Sequence, residues 1–270
     1  MKFIRYLFGI LLLILTLLSF YYSKTAIFIM SVFFIILALY EYRKMFKDKG
    51  IFPHKYLPEI AGIFCAYIFI FYPDIDEHHI ITPVIVAGVI LSFILTIIRN
   101  SKPYILNSLS TIGAVVLTFC GLYVIKLTYY FEHLSSFYII AVYFLAVLSG
   151  DYAASIAGSK CKNKKYIAAE ISPDKTLQGV IANLIMSCLS CLLLTNPLNF
   201  SILKCICFGI VISVFSQFGD LAVSTIKRDL GIKHSGSLFC NYGGILDRMD
   251  AFIFSAPAAY YFLYAVTVFC

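Results

Sequence analysis

Residues 202–228 read ILKCICFGIVISVFSQFGDLAVSTIKR. Between Ile202 and Phe218 the only charge is Lys204, near the start, and then Asp220, Ser224 and Lys227 follow in quick succession. The hydrocarbon core of a bilayer takes about 20 apolar residues to cross as a helix. The run therefore predicts a transmembrane helix over about 202–224 that brings a carboxylate to one membrane surface. Asp220, Ser224 and Lys227 stand at i, i+4 and i+7, so a helix lines them along one face. Fold and chemistry meet in this one stretch.

The rest of the chain repeats the pattern. Apolar runs predict about nine membrane helices, near 3–22, 25–42, 57–72, 80–98, 105–128, 136–157, 177–195, 202–224 and 250–269. Pro53, Pro58, Pro73, Pro103, Pro173 and Pro197 fall between these spans or at their edges. Composition agrees: 61% of the 270 residues are hydrophobic, 13% are charged and the mean hydropathy is +0.91. Soluble domains carry about twice that share of charge. The expected fold is all-α and polytopic, a single membrane domain over 1–270. N-terminal helices fill 1–135, and 136–270 carries the chemistry.

The N-terminus opens with Lys2 and Arg5 and then runs apolar to about Tyr22, too long for a signal peptide and followed by no small-residue cleavage site. An uncleaved first helix is expected. Most of the nine cysteines lie inside apolar runs, where Cys behaves as a small hydrophobe. Cys188 and Cys191 have a metal-like spacing but no second pair, whereas a structural zinc site takes four ligands. Trp is absent, so an interfacial aromatic belt would be built from the 20 tyrosines.

Orientation follows from the bias of Lys and Arg toward cytoplasmic segments. With the N-terminus inside and nine alternating spans, every basic residue but Lys24, Lys126 and Lys204 falls on the inner side. The loop of Asp74, Asp76 and Glu77 falls outside. The net charge of +7 is thus explained by topology and attraction to anionic headgroups, and nucleic-acid binding is not expected. The implied location is a bacterial-type cytoplasmic membrane, with N-terminus and active site cytoplasmic.

Ionisable residues at helix depth are costly in lipid and mark functional sites. The first six spans read as nearly free of charge until Asp151; Asp220, Asp247 and Asp250 then follow at the same predicted side. Asp247 and Asp250, at i and i+3, share a helix face. Lys227, Arg228, Lys233 and the Gly243–Gly244 pair lie between Asp220 and Asp247. Glycines let backbone N–H groups close on a phosphate, carboxylates take a hard divalent cation, and bases take phosphate oxygens. Mg²⁺ suits such oxygen donors better than zinc. A plainer account pairs Asp220 with Lys227 or Arg228 as a structural ion pair, and makes Asp247 and Asp250 a solvated helix start.

Residues 216–250, SQFGDLAVSTIKRDLGIKHSGSLFCNYGGILDRMD, resemble the signature of the phosphatidate cytidylyltransferase (CDP-diacylglycerol synthase) family. Ser224, Lys227, Arg228, Lys233, Gly236, Gly243, Gly244, Asp247, Arg248 and Asp250 match that signature position for position. Upstream, Gly150-Asp151 resembles the family's Gly-Asp element, and Ile171 to Gly179 resembles its Ser-Pro-x-Lys-Thr-x-Glu-Gly segment. The resembling region covers about 145–255. His234 stands where the family has Asp, Cys240 and Tyr242 replace its Pro and His, and Gln178 replaces an acidic residue.

The resemblance implies transfer of a cytidylyl group from CTP to phosphatidate. It makes Asp220 and Asp250 ligands of Mg²⁺ with Asp247 assisting, and sets Lys227 and Arg228 beside them as catalytic groups. Lys233 and Arg248 would grip phosphates, Ser224, Gly243 and Gly244 would line the substrate site, Lys175 and Thr176 would close over it, and Asp151 would face the polar cavity. CTP, phosphatidate, the bilayer and, as an option, a second copy of the chain are the expected partners. Two other enzymatic or lipid-binding readings are a CTP-dependent lipid or polyprenol kinase and a pseudoenzyme. A transporter would instead place charges at mid-membrane in repeated halves.

Overall fold

The computed structural model describes residues 14, 16, 18, 19, 23–73, 77–100, 102–129, 133–161, 165–173, 175–236 and 243–269. The expected first span lies almost wholly outside these residues, as do Asp74, Asp76, Lys162, Cys240 and Tyr242. The described helices are α1 (Lys24–Lys47), α2 (Tyr56–Phe71), α3 (Glu77–Arg99), α4 (Tyr104–Tyr129), α5 (His133–Lys160), α6 (Leu177–Cys191), α7 (Ile202–Asp229) and α8 (Leu246–Phe269). A single 3₁₀ turn, Leu192–Leu194, continues α6.

Seven of these helices are long and apolar enough to cross a membrane, all except α2. At 16 residues α2 rises about 24 Å, short of a core about 30 Å thick. Nine spans are therefore not reached among the described residues. Large apolar side chains lie bare on the outer faces, Ile97 at 72%, Ile98 at 73% and Leu203 at 71%, as lipid contact requires.

Helix ends run past the apolar edges. α7 continues to Asp229, and α8 begins at Leu246 rather than near 250. Backbone hydrogen bonding does not stop where the lipid does, so a helix persists into the interface until a breaker or a cap ends it. After α7 the breaker is Gly231, at φ +68°, a left-handed conformation that a Cβ disfavours. Ser23 caps α1 by accepting from the Ala26 N–H at 3.1 Å.

The chain gathers into two compact units, residues 1–125 with 230–248, and residues 126–229 with 249–270. In the first, α1 packs on α2 and α2 on α3. The turn after α1 is held by α4: Phe52 N–H donates to Asn107 Oδ1 at 2.7 Å and His54 N–H to Thr111 Oγ1 at 2.9 Å. Arg43 on α1 pairs with Glu59 on α2 at 2.5 Å.

In the second unit α5, α6 and α7 pack mutually. Helices in lipid associate through small residues and hydrogen bonds rather than through the hydrophobic effect. A Cβ on Gly209 would stand 2.5 Å from the Cys188 backbone, and one on Gly219 2.5 Å from the Asp250 carbonyl oxygen. Such contacts admit only glycine. Tyr143, fully buried, donates to the Phe252 carbonyl at 2.9 Å and meets Ser255 Oγ at 2.8 Å, fixing α5 on the body of α8.

Candidate active site

The second unit brings together Asp151, Lys175, Asp220, Ser224, Lys227, Arg228 and Asp250. As the spacing predicts, α7 carries Asp220, Ser224 and Lys227 along one side, and Ser224 Oγ donates to Asp220 Oδ1 at 3.5 Å. Lys227 is buried at 8% exposed and Asp250 at 6%, an amine and a carboxyl group that interact out of solvent. The charges of Asp220, Lys227 and Asp151 all act on Asp250, and those of Asp220 and Lys175 act on Asp151.

A short loop supplies the remaining base. Residues 165–176 fold back on themselves through an antiparallel bridge between Tyr166 and Thr176, with Leu177 N–H donating to the Lys165 carbonyl at 2.8 Å. This turns Lys175 onto α7, where its Nζ meets Asp220 Oδ2 at 2.6 Å. Arg228 Nε donates to the Ile171 carbonyl at 2.9 Å and ties the same loop to α7 from the other side. An ion pair at Asp220 is thus made by Lys175, 45 positions away. Thr176, expected among the substrate contacts, caps α6: its Oγ1 accepts from the Gly179 N–H at 3.2 Å and the residue is 3% exposed.

Asp151 is held by a residue that sequence reasoning missed. Asn183 on α6, 1% exposed, donates from Nδ2 to Asp151 Oδ1 at 3.1 Å. Its Oδ1 accepts from Ser213 Oγ at 2.7 Å and Ser187 Oγ at 3.4 Å, linking α5, α6 and α7. The signal was there to be read: a polar amide within the apolar run 177–195 needs partners inside the bundle.

Lys233, His234, Gly243, Gly244, Asp247 and Arg248 belong to the first unit. Lys233 and Arg248 are exposed. Asp247 Oδ2 accepts from Ser235 N–H at 2.9 Å and Gly244 N–H at 3.1 Å, and His234 Nδ1 stands 3.9 Å away. Gly243, at φ +96°, would drive a Cβ to 2.5 Å from that same oxygen. The glycine pair, expected to cradle a phosphate, here presents an N–H to a carboxylate of its own chain. The anion that the turn attracts is built in. His234 in place of the family's Asp sets an imidazole, not a second anion, beside Asp247.

A second missed residue is Glu41, on α1 and 1% exposed, whose Oε2 accepts from the Leu246 N–H at 2.9 Å and Ser235 Oγ at 3.3 Å. The first six spans are therefore not free of buried charge before Asp151. A carboxylate near the end of the apolar run 25–42 was the available signal.

Among the described residues no three His, Cys, Asp or Glu side chains close into a metal cage. The donors of the second unit nevertheless fit a hard cation in kind: Asp151, Asp220 and Asp250 are all carboxylates, and Asp220 already holds a cationic group, the Lys175 ammonium.

Fold and site together define a polytopic helical membrane protein that gathers carboxylates and bases on a few helix ends. A family model, the cytidylyltransferase family, matches residues 3–266, and the chain belongs to that family. An Escherichia coli (strain K12) protein named uncharacterized protein YnbB is 39% identical over 127 residues, 45% of this chain and 42% of that one. Chloroplastic phosphatidate cytidylyltransferase 5 of Arabidopsis thaliana is 40% identical over 127 residues, 46% of this chain and 31% of the plant protein. Over a longer range, phosphatidate cytidylyltransferase of Bacillus subtilis (strain 168) is 27% identical over 237 residues, 84% of each chain. In the first two, the chain spans less than half the length of the relative it matches.

Proposed function

We propose that the protein transfers the cytidylyl group of CTP to phosphatidate, forming CDP-diacylglycerol and pyrophosphate. A non-bridging oxygen of the lipid phosphate attacks the α-phosphorus of CTP. The bond from that phosphorus to the α–β bridging oxygen breaks, and pyrophosphate leaves with the electron pair. Such chemistry asks the protein for positioning and charge neutralisation rather than for a covalent intermediate.

The observation that carries this reading is the meeting of Lys175 with Asp220 at 2.6 Å on the helix that also holds Ser224 and buried Lys227. A carboxylate held by a movable ammonium gives both parts of a nucleotide site: Lys175 is free to pass to a phosphate oxygen when a divalent cation replaces it at Asp220. Asp220 and Asp250 would hold Mg²⁺, which would offset charge on the triphosphate and on the leaving pyrophosphate. Asp151, oriented by Asn183, borders the same group. Lys227 faces phosphate from the buried side, and Arg228 holds the loop that delivers Lys175. Asp247 shapes the glycine turn, and Lys233 and Arg248 offer exposed cations to lipid phosphate.

The bias of basic residues supports a cytoplasmic membrane location with N-terminus and active site inside. The test is direct: purified protein in detergent, phosphatidate, labelled CTP and Mg²⁺, with the products separated. Label in CDP-lipid supports the reading. Label in CDP, with a phosphorylated lipid alcohol when one is supplied, would identify a kinase instead, and no turnover at all would identify a lipid-binding relative.

A further inference from the structure

A buried carboxylate on α1 governs the start of the helix that carries Asp247 and Asp250. Leu246 is the first residue of α8, and its N–H is one of the four that a helix leaves unpaired at its start. Glu41 supplies the acceptor from 205 positions away, at 2.9 Å. Placing an anion there also answers the positive end of the helix dipole. The same oxygen accepts from Ser235 Oγ at 3.3 Å, while the Ser235 N–H donates to Asp247 at 2.9 Å. Ser235 is thus bonded to both carboxylates, one through its hydroxyl and one through its backbone.

Steric fit is as tight as the hydrogen bonding. A Cβ on Gly236 would lie 2.6 Å from Glu41 Oε1, and a Cβ on Gly244 would run into the Glu41 carboxyl group. Two glycines of the signature therefore have a cause other than a ligand: they let residues 235–236 and 243–246 close around this side chain. Among the described residues Glu41 Oε1 has no hydrogen-bond partner. An anion so buried is costly to keep unless its position matters. Among the described residues, the hydrogen bonds that Glu41 accepts come from this turn and the start of α8.

We propose that Glu41 is a positioning residue of the cytidylyl-transfer site, which clamps the glycine turn and the first residue of α8 and so sets the carboxylate of Asp247. This rests on the function proposed above. Both donors sit on one oxygen, so Glu41→Gln keeps an acceptor for them, whereas Glu41→Ala keeps none. Misplacing catalytic groups by about 1 Å costs about 100-fold in rate, and loss of a supporting partner about 10–100-fold.

The experiment compares Glu41→Ala and Glu41→Gln with the parent, in detergent, by two readouts. Amide hydrogen exchange at Ser235, Gly244 and Leu246 should quicken in Glu41→Ala and stay near parental in Glu41→Gln. Per folded molecule, kcat should fall about 10–100-fold in Glu41→Ala, with KM for CTP changed less than about 3-fold, and Glu41→Gln should restore most of it. Unchanged exchange in Glu41→Ala overturns the clamp. Faster exchange with parental kcat, or a Gln variant as impaired as Ala, overturns the positioning role. If the parent makes no CDP-lipid, that failure belongs to the proposed function, and the exchange measurement still decides the clamp. Should Glu41→Ala not accumulate as folded protein, Glu41→Asp, too short to reach Leu246, takes its place in both readouts.

Discussion

Replacing Asp220 by Asn separates a structural role from a chemical one, because the structure sets very different magnitudes for the two. The carboxylate pairs with Lys175 at 2.6 Å, but the two side chains are 39% and 21% exposed. Solvent screens such a pair, and its contribution to stability is about 0–1 kcal/mol. The bond from Ser224 is long, at 3.5 Å, and an Asn side chain keeps an Oδ1 to receive it. The fold should therefore lose about 1 kcal/mol at most, which for a chain of this size lowers the melting temperature by about 2–4 °C. Turnover should respond on another scale. If Asp220 is a cation ligand and the resting partner of Lys175, losing its charge costs at least about 100-fold in kcat, equal to about 2.7 kcal/mol at the transition state. The assay is formation of CDP-lipid from labelled CTP at saturating Mg²⁺, with a thermal melt of the same detergent preparation. Near-parental turnover would remove Asp220 from the site. A large fall in melting temperature alongside lost turnover would show that the ion pair is structural and would refute the reasoning.

Other expectations are as specific. Asn183→Leu removes the acceptor of Ser213 Oγ at 2.7 Å and the donor to Asp151 at 3.1 Å, so it should cost about 1–3 kcal/mol by thermal melt, while Ser213 still accepts from Gln217 Nε2 at 3.0 Å and Ser187 keeps its bond to the Ala146 carbonyl. Gly244→Ala should lower both melting temperature and turnover, by about 1–3 kcal/mol in stability, since its methyl meets the Glu41 carboxyl group; a parental melt would show that the turn has room to spare. For orientation, single cysteines replacing Lys165 and Glu77, in a chain stripped of accessible native cysteines, are expected to react with an impermeant thiol reagent from the inner and the outer side respectively. Labelling of position 165 in intact cells would reverse the topology.

The sequence alone determined the class of fold and one helix face of the site. Runs of apolar residues near 20 long have one low-energy solution in a bilayer, a helix that pairs its own backbone, so α1 and α3 to α8 were legible without tertiary information. The i, i+4, i+7 spacing of Asp220, Ser224 and Lys227 was legible for the same reason: helical neighbours are set by local geometry. The pairing of Lys175 with Asp220 and the grip of Glu41 on Leu246 were not. Each depends on which elements lie side by side, and in a bundle that is decided by small-residue packing across 45 and 205 positions of chain. Glu41 sits at the end of an apolar run, where a carboxylate in the interface and one under a folded turn look alike in one dimension. The partner of the glycine pair was not legible for a related reason. A turn that can bind an anion has the same composition whether the anion is a ligand or the side chain of Asp247, and only the folded chain supplies the carboxylate.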